Sequence, residues 1–342
     1  MAPRIVLGMT LYNNAGHLPE AMDSLLAQTE RDFALLMLDD GSDGASERIA
    51  RTYEARDARV RYWRHRERLG MVPTWREVVE IARRECPSAE YFAWVSDHDR
   101  WASEWLARMV AELDAHPEAV LAYPQTHRVD ENGVAVDKVP RVFDTSGVAD
   151  PRERWRRFCW NGFGSGDMVY GLVRVRALEA AGIFRPVLNP DRLLIAELTQ
   201  QGEIRQVAEP LWWRRQSAGA SIERQRRSLF AGSPPPRFNW PPSLQHAVFL
   251  RGRGFALPMI ATYVIASGWR ATRKTDTSKS IGRGVDHAHF AKRLVKKGFH
   301  HAVYYTLVGA RRLASKSRRA SRRVLYEILT FTHRAGLRRQ SR

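Results

Sequence analysis

Two aspartates two positions apart, Asp97 and Asp99, stand just beyond the apolar run Tyr-Phe-Ala-Trp-Val at residues 91–95, with Ser96 leading in and His98 between them. A run of that length and composition reads as a buried strand. In an open α/β sheet, ligands gather at the carboxyl ends of such strands, and side chains at i and i+2 share a side. Two carboxylates so placed suit a hard cation, Mg2+ or Mn2+, which takes carboxylate oxygens together with the phosphate oxygens of a substrate. The chemistry indicated is that of a metal and a diphosphate, although the same spacing also occurs in exposed acidic loops.

Two earlier apolar runs end in polar groups as well. Residues 5–11 lead into Thr10-Leu11-Tyr12-Asn13-Asn14, and residues 33–38 into Asp39-Asp40-Gly41-Ser42. A dinucleotide or mononucleotide phosphate loop needs glycines at the first of these ends, where backbone must approach phosphate closely. None is there, which counts against a Rossmann dehydrogenase, a P-loop NTPase and a glycine-loop nucleotidyltransferase. A hydroxyl, a phenol and a carboxylate remain, groups suited to reading a base and a ribose. The plainer alternative for residues 39–42 is a helix-capping turn.

The elements that must position these groups alternate in type. Apolar runs at 5–11, 33–38, 60–63 and 91–95 are separated by segments with helical spacing, such as Leu18, Ala21, Met22, Leu25 and Leu26 on one face. The order β-α-β-α-β-α-β predicts a largely parallel sheet covered by helices. A helix is predicted over 103–114 with Ser103 as N-cap, followed by a strand at 120–123. Glu131-Asn132-Gly133 then signals a hairpin between 126–129 and 134–139. A helix near 151–159, a glycine-rich loop at 161–166, a strand at 168–173 and a helix over 192–200 complete the body. The run Ser233-Pro234-Pro235-Pro236 marks a boundary, dividing the chain into a catalytic domain over 1–232 and a linker with a helical tail over 233–342.

Length and composition fit this organisation. The chain has 342 residues, 44% hydrophobic and 27% charged, values of an ordinary globular protein with about two domains. Its two cysteines, Cys86 and Cys159, have no C-x-x-C partner, so neither a disulfide framework nor a zinc site is indicated. Net charge is +18, and its distribution is uneven: residues 251–342 carry 22 Lys and Arg against 3 Asp and Glu, which leaves the first 250 residues at −1. Electrostatic attraction to a polyanion therefore belongs to the tail. No secretory signal is read at the N-terminus. The uncharged stretch 254–269, interrupted by Pro258, is shorter than the ~20 residues that span a bilayer, so no transmembrane helix is expected.

Taken in order, Thr10-Leu11-Tyr12-Asn13-Asn14, Leu25-Leu26-Ala27-Gln28-Thr29, Asp39-Asp40-Gly41-Ser42, Leu69-Gly70 and Ser96-Asp97-His98-Asp99-Arg100-Trp101 resemble the family-2 glycosyltransferases of the GT-A fold, as do Asn189-Pro190-Asp191-Arg192-Leu193 and Glu209-Pro210-Leu211-Trp212. The resemblance covers residues 4 to 220. It implies an α/β, GT-A type, Rossmann-like mixed sheet flanked by helices, and an inverting, metal-dependent transfer of sugar from a nucleotide-sugar donor to a hydroxyl of a glycan, glycolipid or other acceptor. By the same resemblance Thr10, Tyr12, Asn13 and Asp40 line the nucleoside pocket, with Asp40 accepting from the base edge. Asp97 lies near ribose and metal, and Asp99 coordinates a divalent cation, Mg2+ or Mn2+, that bridges the two phosphates. Many relatives carry a further acid where this chain has Arg100.

Asp191 matches the family's catalytic base, which takes the proton of the attacking hydroxyl. Read without the resemblance, it is an N-cap for the helix over 192–200. The loop 161–166 and Trp212-Trp213-Arg214-Arg215 are expected to shape the acceptor side, glycines admitting a sugar and tryptophan stacking on it; core packing is the other reading for one of the two tryptophans. His98 and His127 lack a second histidine nearby and read as structural or solvent-facing. In the tail, Phe255, Leu257, Ile260, Tyr263, Val264 and Trp269 interleave with arginines, and helical spacing recurs around Val303 and Val324. That pattern predicts a basic amphipathic extension docked on an anionic membrane at its cytoplasmic face, near a lipid-linked or membrane-adjacent acceptor. No recognisable nucleic-acid motif is present. The competing reading is a non-catalytic α/β binding module whose tail holds nucleic acid or another polyanion.

Overall fold

Strands β1 (Ile5–Leu11) and β2 (Phe33–Asp39) are apolar on both faces and buried almost throughout, the pattern of strands covered by helices on each side. In the computed structural model, which describes residues 2–137, 142–162, 165–216, 228–232 and 242–276, they pair in parallel with each other. β3 (Val60–Arg64) and β4 (Tyr91–Val95) flank them, also in parallel. The chain forms two compact units, Met1–Asn239 and Trp240–Arg342.

In the first unit, helices α1 (Leu18–Leu26), α2 (Gly44–Arg56) and α3 (Met71–Glu85) connect these strands. The short strand β5 (Arg100–Trp101), helix α4 (Trp105–Ala115) and the long strand β6 (Ala119–Val129) follow. Next come α5 (Pro151–Asn161), α6 (Ser165–Met168), β7 (Leu172–Arg174), α7 (Val175–Ala181), α8 (Pro190–Leu198) and β8 (Glu203–Arg215). All eight strands form one mixed sheet in the order β3-β2-β1-β4-β7-β6-β8-β5. β4, β7 and β6 pair antiparallel in turn, β6 and β8 in parallel, and β8 and β5 antiparallel. The expected α/β architecture is what the chain adopts.

Register decides which loops meet. Leu11 stands opposite Asp39, Asp39 opposite Arg64, and Met9 opposite Val95, so β1, β2 and β3 end level and β4 ends two positions short of β1. Residues 12–14, 40–42 and 96–99 therefore emerge side by side at one edge of the sheet. One core lies between the sheet and α1, α2 and α4, with Leu7, Met22, Leu35, Trp105 and Met109 fully buried. On α3's side, Trp75 and Trp94 stack at 5.4 Å between centroids, and Phe184 abuts both rings. Aromatic pairs of this kind bury large areas and fix relative orientation. Gly8 on β1 lets this layer close, since a Cβ there would meet the Phe92 ring at 2.6 Å.

The structure departs from the sequence reading at several elements. β6 runs unbroken from 119 to 129 where separate strands at 120–123 and 126–129 were expected. Pairing shifts from Pro124 opposite Val207 to Gln125 opposite Pro210, so prolines of both strands fall at a ladder irregularity, where a missing N–H is tolerated. The predicted 126–139 hairpin reduces to a bridge between Val129 and Ala135; residues 138–139 lie outside the described residues. Residues 168–173 divide into the end of α6, a turn and β7. α4 begins at Trp105, because Ser103 is committed elsewhere: its carbonyl accepts from Thr29 N at 2.8 Å. α8 begins at Pro190, two residues earlier than expected, with Asn189 in the left-handed region (φ 52°, ψ 55°) at its N-cap, a conformation asparagine tolerates. Asp191 is therefore not the cap.

The second unit begins with α9 (Pro242–Gly252) and α10 (Leu257–Asp276). His246 Nδ1 and Tyr263 Oη lie 2.6 Å apart in a buried contact. Ile260, Tyr263 and Val264, expected on a membrane-facing stripe, are buried in the chain, while Leu257 is exposed. The predicted helices around Val303 and Val324 and the prolines at 234–236 lie outside the described residues. Among the described residues no helix is long and apolar enough to cross a membrane.

Candidate active site

At the edge where β1, β2 and β4 end, the two adjacent aspartates of the second loop have different tasks. Asp39 is fully buried, accepting from Ser42 N at 2.7 Å and from the Tyr62 hydroxyl at 2.8 Å. Burial, with Asp39 alongside, pushes the Tyr62 phenol up, so it remains the donor. Asp40 points to the next loop: its Oδ1 accepts from Leu69 N (2.7 Å) and its Oδ2 from Gly70 N (2.9 Å), and His65 Nδ1 lies 3.3 Å from Oδ1. Gly70 adopts φ 95°, and a Cβ on it would meet the backbone of Phe230 at 2.5 Å, so only glycine fits that turn. A carboxylate has about four lone-pair directions; Leu69 and His65 occupy those of Oδ1, so Asp40 can still accept once more at Oδ2.

Tyr12 is 42% exposed, and the Arg68 guanidinium covers its ring at 4.1 Å while standing 3.7 Å from Asp40 Oδ2. An aromatic face, a cation and a carboxylate thus surround one point. Asn13, with φ 49°, ties the loops together by donating its N–H to Ser42 Oγ (2.9 Å) and accepting from Asp43 N at its Oδ1 (2.7 Å). Thr10 is half-buried on β1 opposite Leu38. Arg68 escaped the sequence reading because its short motif, Arg-Leu-Gly, identifies the glycine and says nothing of the arginine's direction.

Beyond β4, Asp97 and Asp99 lie on either side of His98. Asp97 Oδ1 accepts from Asn14 Nδ2 (3.1 Å) and contacts His98 Nδ1 (2.7 Å), while His98 Nε2 is 3.9 Å from Asp99 Oδ1. Asp99 is 2% exposed and accepts from Trp212 Nε1 at 3.1 Å and Arg215 N at 2.7 Å. Burial lifts the Asp99 carboxyl above the ordinary range, against the charge of His98, the Arg215 N–H, the charge of Arg214 and the Trp212 indole, which all oppose the rise. Burial also acts to lower the His98 imidazole. The Asp97 hydrogen bond and the charges of Asp99 and Asp97 override it, so the ring holds its proton more firmly than usual.

His98 is therefore a bridging group in the site, where the sequence suggested a structural or solvent-facing one. The imidazole stands between two carboxylates, in the place a positive charge would take, and the pair's hard oxygens suit a divalent cation that draws its other ligands from phosphate and water. Among the described residues no group of three His, Cys, Asp or Glu side chains could hold a metal. Arg100 adds no ligand: it lies over the Trp213 ring at 4.7 Å, with Nε 3.9 Å from Glu20.

Asp191 occupies the first turn of α8, where the helix N-terminus stabilises negative charge. Its Oδ2 accepts from Ser165 Oγ at 2.8 Å. Next to it, Asp167 is a buried hub that receives both Arg128 and Arg214. These arginines face each other across β6 and β8. Arg214 also lies 5.4 Å from the Trp212 ring centroid and 5.5 Å from that of Tyr170. Burial raises the Tyr170 phenol, opposed by Arg214 and reinforced by Asp99, Asp97 and Asp191. One phenol thus feels charges from the loop after β4, from α8 and from β8, so these elements converge on one site.

The two tryptophans divide as the sequence allowed. Trp212 is buried, whereas Trp213 is half-buried and stacks with exposed His127 at 5.3 Å. Ser165 falls in the loop expected on the acceptor side, whereas Asp167 and Tyr170 were missed in the sequence because each acts through partners distant along the chain. In the loop 161–166, residues 163–164 lie outside the described residues.

Comparison with known proteins bears on this site. A family model described as glycosyl transferase family 2 matches residues 7–167. An uncharacterized protein, y4gI, of Sinorhizobium fredii is 27% identical over 244 residues, which cover 67% of this chain and 24% of that protein. An uncharacterized glycosyltransferase, EpsJ, of Bacillus subtilis is 29% identical over 114 residues, 33% of this chain and 31% of that one. This chain therefore spans about a quarter to a third of these two curated relatives. Among solved structures, S. aureus TarS 1-349 in complex with UDP-GlcNAc superposes with a TM-score of 0.55 at 14% identity, over 78% of this chain and 80% of that one, a likeness of fold.

Proposed function

We infer that this chain, whose residues 7–167 match the model of glycosyl transferase family 2, transfers a sugar from a nucleotide-sugar donor to a hydroxyl of a glycan, glycolipid or similar acceptor, with inversion at the anomeric carbon. The observation that carries the reading is the parallel pairing of β1 with β2 and β4, which brings Tyr12, Asp40, Asp97 and Asp99 to one sheet edge. Tyr12 and Asp40 take the base, by ring stacking and by accepting from its edge. Thr10 and Asn13 border the nucleoside, and Asp97 faces the ribose.

Asp97 and Asp99 hold a divalent cation, Mg2+ or Mn2+, which when bound supplies Lewis acidity toward the departing diphosphate. Asp191 accepts the proton of the acceptor hydroxyl. As that oxygen forms its bond to the anomeric carbon, the bond from this carbon to the phosphate oxygen breaks, and its electron pair leaves with the nucleoside diphosphate. Attack from the face opposite the leaving group inverts the centre.

The test is a panel of nucleotide sugars assayed for nucleoside diphosphate release with Mn2+ or Mg2+. One donor is expected to turn over. Chelation or Asp99→Asn is expected to reduce its rate on the order of a hundredfold or more and to abolish the metal-dependent part of nucleotide thermal stabilisation. A protein that neither binds nor turns over any donor, with or without metal, rules the reading out.

The second part of the proposal concerns location. The excess of 22 basic over 3 acidic residues in 251–342 suits an anionic cytoplasmic leaflet, each basic residue near such a surface contributing about 1 kcal/mol. With Ile260, Tyr263 and Val264 buried, the docking proposed is chiefly electrostatic. Sedimentation with phosphatidylserine liposomes is expected to be strong in low salt, to fade by 0.5 M salt and to be lost without residues 277–342. Sedimentation indifferent to salt and to that truncation refutes the docking.

A further inference from the structure

Gly166 leaves a gap between two charged groups at the acceptor side. A Cβ built on it would stand 3.6 Å from Asp191 Oδ2 and 3.4 and 3.6 Å from Arg214 Nη1 and Nη2. Asp191 and Arg214 nonetheless do not pair: the carboxylate is bound by Ser165 and the guanidinium by Asp167. Arg214 Nη1 donates to Gly166 O at 2.7 Å and to Asp167. Its Nε and Nη2 donate to nothing among the described residues, and 27% of the side chain is exposed. Because Arg128 shares Asp167, two guanidiniums meet at one carboxylate. The Asp167 bond and the Trp212 and Tyr170 rings fix the free edge in place. A planar guanidinium edge held this way suits a phosphate or carboxylate.

We propose that this gap receives an acceptor bearing a phosphate or carboxylate near its reacting hydroxyl, the hydroxyl at Asp191 Oδ2 and the anionic group on the Nε and Nη2 edge of Arg214. This rests on the proposed transfer reaction, in which Asp191 is the base and the donor diphosphate lies toward Asp97 and Asp99. Arg214 is then a specificity-determining residue, and Gly166 keeps the space open.

The test uses the 342-residue chain saturated with whichever of UDP, GDP, dTDP or CDP binds it, titrated with glucose 6-phosphate, glucuronate and glucose. The charged probes are expected to bind at least about tenfold tighter than glucose. Gly166→Ala and Arg214→Gln should each bring them down to the level of glucose, with nucleoside diphosphate affinity unchanged, while Arg214→Lys keeps part of the preference. The Gly166→Ala protein should fold, because its new contacts at 3.4 to 3.6 Å are ordinary packing distances. Equal binding of charged and neutral probes overturns the proposal. So does a preference that survives both variants, which assigns it to the basic tail, or a loss of nucleoside diphosphate affinity in Arg214→Gln, which assigns the arginine to the donor. A chain that binds none of the four nucleotides removes the transfer reading itself, a distinct outcome.

Discussion

Replacing Asp191 by asparagine is expected to lower the turnover number for transfer by about 10²–10⁴-fold, the usual contribution of a general base, while nucleotide affinity stays within about twofold of the parent. The amide has nearly the same shape and can still accept from Ser165 Oγ, the one side-chain hydrogen bond to this carboxylate among the described residues, so the fold is left intact. What is lost is the capacity to take a proton. Because the base acts on the acceptor, the defect should lie in the turnover number rather than in the KM for the donor. Steady-state kinetics with the donor found in the panel, together with nucleotide titration, separate the two. Transfer at close to the parental rate would show that another group removes the proton and would return Asp191 to a structural role at the start of α8.

The second large effect is on stability. Asp167→Ala is expected to destabilise the first unit by about 3 kcal/mol, near the lower end of what breaking a buried ion pair costs. The lower end applies because Arg214 keeps 27% of its side chain exposed and Arg128 keeps 12%. Removing the carboxylate leaves two guanidiniums close together with no shared counterion, across the register pair that joins β6 to β8. The measurement is the shift in urea midpoint at constant slope. Asp167→Asn, which retains an acceptor oxygen but not the charge, should lose less. A midpoint unchanged by Asp167→Ala would mean that water satisfies both arginines, and that Arg214 is not held in place by this carboxylate.

Much of the fold was legible because its signals are local. Residues 5–11, 33–38 and 91–95 are apolar over lengths that a covered strand requires, and the amphipathic face of Leu18, Ala21, Met22 and Leu25 is buried in α1. Where the reading failed, a local signal was overruled. Residues 120–123 and 126–129 read as separate strands, yet the ladder continues between them through an irregularity that accommodates Pro124 and Pro210. Arg192 looked like the start of a helix, yet Asn189 in a left-handed conformation starts it earlier, with Pro190 in the first turn, a position proline favours. β8, 13 residues long, was visible beforehand only as the short match Glu209-Pro210-Leu211-Trp212. Its pairing partner is more than seventy positions away, and no sequence period encodes it.

The candidate site divides in the same way. The sequence alone placed Tyr12, Asp40, Asp97 and Asp99 at the ends of apolar runs, and it confined the excess positive charge to residues 251–342. These are properties of side-chain type and spacing, which a linear chain carries explicitly. The tertiary structure decided that Asp39 is a buried brace and Asp40 the outward-serving partner of Leu69 and Gly70. It also decided that Trp212, from the last strand, caps Asp99, and that Asp167 joins Arg128 to Arg214 beside Asp191. Those contacts depend on which strands become neighbours and at what register. Strand order and register are set by how the whole sheet buries its apolar surface, not by any segment read alone.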